Sequence, residues 1–481
     1  MTTLGPNLAL PNLLPDQPPL HMAAVGGGWG GFAALTRAQQ LQAEGHDFRA
    51  ALFYSSAPAA SQKNAGFMAP DLATSVDDLA GERIAALIKQ GATLAEAEQQ
   101  VLPILRDYMG FTIEACRAFL DFTAHHKVRG IARGPMRLIR KPASDKKIKE
   151  MAARMQERYG MGPIRVIRRD EISAALNAPG KPYAGGWVYE DGAFFDPPRV
   201  YGRVLRSLGK KPGHRATIFH PCKALAVYAM EDGLLRLETS RGFVNTKHVA
   251  MLGAIAPGIN PAALSRTMVY DPHAFILRTP AESGEENAPQ RPKGVWAFED
   301  NGGTSEDGRL PRPALYMNNI NEKTAFYGAF DTIGNWDGDV RAALRKTNTE
   351  VTKIWPALRD DMHELGGHAH RTARLFTNTE RLIDVSEELD GRVISSLGHD
   401  DRGIATAPYA GRTIVDVIAS REGFQFEGSA AAQKRYAMLC AMPKGQPMDK
   451  KEQNAWMEAR LPNKLHVKKR HDKRADKRNA L

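Results

Sequence analysis

The chain has 481 residues, 43% of them hydrophobic and 25% charged, with a formal charge of +11. That length exceeds one simple core and points to two interleaved or consecutive domains, in a composition ordinary for a globular protein. No run of about 18 apolar residues occurs, which excludes a helical membrane span. The three cysteines, Cys116, Cys222 and Cys440, are far apart and form no CxxC pair, which gives no support for a zinc site or disulfide framework and fits a reducing, cytoplasmic setting.

Residues 1–19 carry five prolines and lack the basic start and unbroken apolar stretch of a signal peptide, so they read as an extended surface leader. Residues 21–25 read as a short buried strand that runs into Gly26-Gly27-Gly28-Trp29-Gly30-Gly31. Helical apolar spacing follows over 32–43, then a turn at Gly45-His46-Asp47 and a second strand over 48–54. Strand, glycine loop, helix and strand in this order are the context of a dinucleotide site. Gly26 permits the tight turn, Gly28 lets the backbone approach a pyrophosphate, and Gly31 lets helix and strand pack closely. The helix N-terminus then offers N–H groups and partial positive charge to phosphate. One part is missing: the acid that usually follows the second strand to hold the ribose hydroxyls. The chain reads Leu52-Phe53-Tyr54-Ser55-Ser56 there, leaving Ser55 or Ser56 as a neutral substitute.

Cations crowd the segment 127–169 and the tail 464–478. Such clustering is what a polyanion-binding surface needs, for a nucleic acid above all; a solvated helix and a disordered end are the plainer alternative. His125-His126, His363, His368 and His370 lack a carboxylate cluster and helical ligand spacing, so no metal is assigned. No G-x-S-x-G elbow or P-loop signature occurs, which argues against hydrolase and NTPase chemistry.

Four later segments carry a family resemblance. Ser61-Gln62-Lys63-Asn64-Ala65-Gly66 resembles the S-x-x-N-A-G loop of the D-amino-acid oxidase (DAO) superfamily, and the stretch 189–197 resembles its dG-x-x-dP segment before a helix, here 199–208. Strands at 224–229 and 234–239, then Gly242 and the apolar run 249–255, resemble the return to the FAD sheet. Leu252-Gly253-Ala254 stands where the family has A-x-G. The stretch 398–408 is similar to the closing G-x-x-x-x-G-x-x-x-A-P motif.

The resemblance implies an α/β fold. Its Rossmann-type FAD-binding domain is assembled from 20–70, 190–260 and 375–420. An α+β substrate domain on a mixed or antiparallel sheet comes from 71–189 and 261–374, and 421–481 forms an appendage. It implies FAD, non-covalent because the S-x-x-N loop has no Cys or His, held at Gly26, Gly28, Gly31, Ser55, Ser61, Asn64, Gly66, Ala224, Gly398, Arg402, Gly403 and Ile404. It further implies hydride transfer from the carbon beside an amine nitrogen to flavin N5, followed by imine hydrolysis. The family's R-P-x-T segment matches Arg374-Leu375-Phe376-Thr377, which nominates Arg374 for a substrate carboxylate, with Arg371 as alternative. Tyr316, with Tyr327 as alternative, would supply the hydroxyl above the substrate, and His399 or Asp400 would sit near the ring.

A narrower resemblance is to the FAD oxidase half of the bifunctional tRNA 5-methylaminomethyl-2-thiouridine biosynthesis protein. It rests on residues 52–61 and on the basic N-x-L-x-V-x-K tail at 463–469. Three readings follow: oxidation of a small amine or amino acid; removal of a carboxymethyl group from a tRNA wobble uridine; and a non-catalytic relative that binds a polyanion.

Overall fold

The computed structural model describes residues 6–7, 9–55, 61, 64, 66–71, 76–140, 144–176, 183–209, 216–253, 267–278, 295–300, 314–321, 324–330, 349, 351–355, 367–375, 384–397, 399 and 403–441. The chain opens with β1 (Leu20–Val25), α1 (Trp29–Ala43) and β2 (Ala50–Phe53). Every residue of both strands is buried, as a sheet covered on both faces requires. A first excursion contains β3 (Phe67–Met68), α2 (Val76–Lys89), α3 (Leu94–His125), β4 (Ile131–Arg133) and β5 (Met136–Arg140). It ends with α4 (Asp145–Tyr159), β6 (Ile164–Arg168), α5 (Arg169–Leu176) and β7 (Tyr183–Tyr189). α3 starts at a reciprocal cap, Thr93 with Glu96, which satisfies N–H groups that a helix otherwise leaves open.

The return runs through β8 (Ala193–Phe195), α6 (Pro197–Leu208), β9 (Ala216–Phe219), β10 (Ala224–Ala229), β11 (Leu235–Thr239) and β12 (Gly242–Leu252). Asp196 caps α6 by accepting the Arg199 N–H, and proline at its start supplies a preset φ. A second excursion holds β13 (Thr267–Arg278), β14 (Trp296–Asp300), β15 (Ala314–Asn321), β16 (Thr324–Phe330) and β17 (Gly367–Leu375). The chain closes with β18 (Asp384–Glu388), β19 (Val393–Leu397), α7 (Gly403–Arg421) and α8 (Ser429–Ala441).

Five strands lie parallel in the order β19-β12-β1-β2-β9. β18 adds antiparallel to β19, and the β10–β11 hairpin extends from the first half of β12. This Rossmann-type sheet therefore draws strands from widely separated parts of the sequence. The leader is stitched to it: Leu13 N–H donates to Phe243 O and Phe243 N–H to Pro11 O, both at 2.9 Å.

The second sheet runs β17-β13-β16-β15-β14-β5-β7-β6 and is antiparallel except at β14–β5. Side-chain alternation divides its two faces. Ile139, Trp187, Tyr189 and Ala297 join the core shared with the parallel sheet's helices. Leu138, Tyr183, Phe298, Leu315 and Met317 pack instead with Ile354 and Trp355 on the outer side. A small sheet, β3-β8-β4, joins the first excursion to the return.

Candidate flavin and substrate site

Gly26 leaves β1 at φ +127°, and its N–H donates to Phe53 O at 3.0 Å. A Cβ on Gly31 would lie 1.9 Å from Gly26 O, so the loop and the helix can fold onto each other only with glycine there. α1 follows with Gly28 as an extended cap that carries no side chain. The Trp29 N–H donates to Ser61 Oγ at 3.0 Å, which ties the glycine loop to the 61–66 loop.

That second loop is held from three directions. Asn64 Nδ2 donates to Ser61 O at 2.9 Å, and Gly66 N–H donates to Asn64 Oδ1 at 2.8 Å. Gly66 has φ +65°, and a Cβ there would lie 1.9 Å from Phe195 O, next to β8. From β15, Asn318 Nδ2 donates to Phe195 O at 2.8 Å and reaches Gly66 O at 3.5 Å. Ser61, Asn64 and Gly66 thus form one structure with Gly26, Gly28 and Gly31.

α7 begins inside the closing motif, at Gly403 and the buried Ile404. It meets α1 backbone to backbone: a Cβ on Gly411 would lie 2.2 Å from Gly30 O. Both helices start at the carboxyl edge of the parallel sheet, so two positive helix ends meet at one crevice. Sequence reasoning missed Gly411, although a glycine inside an apolar helix signals close packing. Burial pushes the His399 imidazole down to about 4. Its Nδ1 lies 3.1 Å from Thr406 Oγ1 and its Nε2 3.2 Å from Ser396 Oγ, so the neutral ring fastens β19 to α7. Ser55 is half-buried just past β2, and Ala224 is buried at the start of β10 opposite Thr239. Ser56, Ala254, Gly398, Asp400, Arg402 and the tail 464–478 lie outside the described residues.

The second sheet places Tyr316 opposite Glu299, and Glu299 opposite Arg137, in one row across β15, β14 and β5. Arg137 Nη1 contacts Glu299 Oε1 at 2.5 Å. Beside them the Tyr189 hydroxyl donates to Asp71 Oδ2. Burial first, and then the Asp71 charge, holds that phenol well above its ordinary value. Asp71, Arg137, Tyr189 and Glu299 make a largely buried polar cluster a few residues beyond Gly66. Sequence reasoning missed it because its members come from four separate segments.

In the other direction the Tyr316 row passes through Gly328 and Phe275 to His368 on β17. Arg374 pairs with Met268, six positions further along β17. The backbones of Tyr316 and Arg374 are therefore about 14 Å apart across the strands and about 20 Å apart along them. The register does not bring these two candidates together.

The profile described as FAD dependent oxidoreductase (DAO) matches residues 25–417. The chain belongs to the DAO family of FAD-dependent oxidoreductases. No curated protein matches the sequence. Among solved structures it is similar to glycine oxidase from Geobacillus kaustophilus, at 14% identity over 85% of this chain and 97% of that one, TM-score 0.59. It is similar to L-proline dehydrogenase from P. horikoshii at 14% identity, over 84% and 94% of the two chains, TM-score 0.57. Iminodiacetate oxidase from Chelativorans sp. BNC1 gives 16% identity, over 84% and 96%, TM-score 0.53. At such identities the likeness is one of fold.

FAD is the cofactor of this DAO-family chain, and the residues present fit it. Two glycine-bearing loops and two helix starts lie together at the carboxyl edge of the parallel sheet, and at Gly31 and Gly66 backbone stands where a side chain would project. Among the described residues no cluster fits a metal ion, and no helix is long and apolar enough to cross a membrane.

Proposed function

We propose that this DAO-family enzyme oxidises the carbon–nitrogen bond of a small amine or amino acid. The supporting observation is the polar cluster Asp71–Tyr189 with Arg137–Glu299, set on the inner side of the second sheet over the loop that Asn318 grips. FAD supplies the two-electron acceptor at N5. The chain's own task is to bind the amine as its neutral form, orient the C–H bond and exclude water.

Tyr316, in register with Glu299 and Arg137, is the proposed substrate-facing hydroxyl. Strand pairing sets Arg137 in the Tyr316 row, where Glu299 holds it, whereas the Arg374 backbone lies about 20 Å along the strands from that row. Tyr189 and Asp71 form a buried proton-handling pair suited to accepting the amine proton. His399, neutral and engaged at both ring nitrogens, keeps the closing loop in place.

The deciding experiment mixes the purified yellow protein anaerobically with glycine, sarcosine, proline, iminodiacetate and simple amines, and follows the flavin absorbance. Bleaching by at least one is expected. Bleaching by dithionite alone, with none of the panel effective, would overturn the reading.

The tRNA-modifying alternative draws on Lys146, Lys147, Lys149, Arg154, Arg168 and Arg169, all exposed on or beside α4 and α5. In the same basic segment, however, Arg137 and Arg140 are committed to Glu299 and Asp300 inside the second sheet. Co-purifying tRNA that is lost on truncation before Lys464 would favour that alternative.

A further inference from the structure

The carboxyl ends of β2 and β9 carry neither Asp nor Glu: they continue as Tyr54-Ser55 and as His220-Pro221-Cys222-Lys223. In an open parallel sheet this edge, beside the glycine loop, is where the adenosine half of a dinucleotide lies, and an acid there ordinarily holds the ribose. Here Tyr54 and His220 stack on each other, with ring centroids 4.3 Å apart and planes 28° from parallel. The backbone locks them in place: Tyr54 N–H donates to Phe219 O at 3.3 Å, and Cys222 N–H donates to Tyr54 O at 2.7 Å.

The glycine loop is built around this pair. The G-x-G-x-x-G pattern demands glycine at 26, 28 and 31 but leaves 27 open. Gly27 is nonetheless required, because a Cβ there would lie 2.4 Å from Tyr54 Cδ2. The Tyr54 ring therefore rests directly on the loop backbone. From the other side the Tyr201 hydroxyl donates to Gly27 O at 2.6 Å. Tyr54 is half-buried and His220 is exposed, so the pair has a packed edge and an open edge.

We propose that the Tyr54–His220 pair is the adenosine seat of this flavoprotein and takes the place of the missing ribose acid. The ligand class is an adenine nucleotide, recognised by ring faces and one neutral phenol hydroxyl rather than by a carboxylate. Stacking is tolerant of sequence and salt, and a phenol can both donate to and accept from a diol. The seat rests on the assignment of FAD as cofactor, and its test separates the two.

The test uses apoprotein of the full chain and titrates it with FAD, ADP and FMN, by calorimetry and flavin fluorescence. Tyr54→Phe removes only the hydroxyl, and His220→Ala removes an exposed ring, with the far-UV circular dichroism of each variant checked against the unaltered protein. Each is expected to weaken FAD and ADP by roughly 3- to 10-fold, while FMN, which has no adenosine, is unaffected. FAD and ADP binding unchanged or tightened in both variants would overturn the seat and leave the pair as packing over Gly27. Failure of the unaltered protein to bind FAD at all would overturn the cofactor assignment itself.

Discussion

At the residue scale the polar groups of the candidate site are engaged with one another, but to different ends. His399 fastens. Its ordinary value of 6.5 falls to about 4 on burial, so as pH drops the unfolded chain takes up a proton before the folded one does. Its stabilising contribution is intact above about 6.5 and is lost as pH falls toward about 4. The apparent Tm should decline through that window, and His399→Asn should flatten the decline; identical curves for both proteins would refute this. Tyr189 should act differently, because its hydroxyl is committed to Asp71 in a buried setting. Tyr189→Phe is expected to cost about 1–3 kcal/mol and to shift the pH profile of kcat/KM, since a buried acceptor loses its donor. A change in stability without any change in the profile would confine Tyr189 to packing.

At the element scale the decisive contact is the crossing of α1 with α7. Gly30 and Gly411 let the helices touch along their backbones, and the buried pair Arg37–Asp416, at 2.6 Å, locks the same two helices further along. Burial raises the Asp416 carboxyl even beside the Arg37 guanidinium, so the pair serves to specify the crossing. Gly411→Ala is expected to lose roughly 2–3 kcal/mol, because the helices must part to admit a methyl group. It should also retain less FAD on purification. Gly209→Ala, whose Cβ would meet nothing closer than 3.7 Å, is the control and should be near neutral. Equal denaturation midpoints for the two variants would show that the crossing is more compliant than its geometry indicates.

At the scale of the whole molecule, the parallel sheet and the mixed sheet meet at the 61–66 loop, and in the described basic segment Arg137 and Arg140 are spent within the second sheet while Lys146, Lys147, Lys149 and Arg154 of α4 are exposed. On the small-amine reading, truncation before Lys464 should leave FAD binding and amine turnover unchanged, as measured by flavin content and bleaching rate; loss of either would give the tail a place in the site. The glycine loop, the S-x-x-N-A-G loop and the closing motif were legible in the sequence because each is local: a strand, a turn and a helix start within some ten residues dictate their own backbone. So were β1, β2 and the end of β12, whose unbroken apolar character reports burial on both faces, whereas the half-buried β9 and the serine-bearing β19 gave no such signal. The polar cluster of the second sheet was not legible. Arg374 matched a family segment, yet strand register separates it from Tyr316, while Arg137, Glu299, Asp71 and Tyr189 are joined by pairing between segments far apart in the chain. Register depends on which strands meet, and no single strand encodes its neighbour. The sequence by itself determined the strand–glycine loop–helix backbone that a dinucleotide site requires. Tertiary structure alone decided which side chains surround it, including the aromatic pair that stands where the ribose acid is absent.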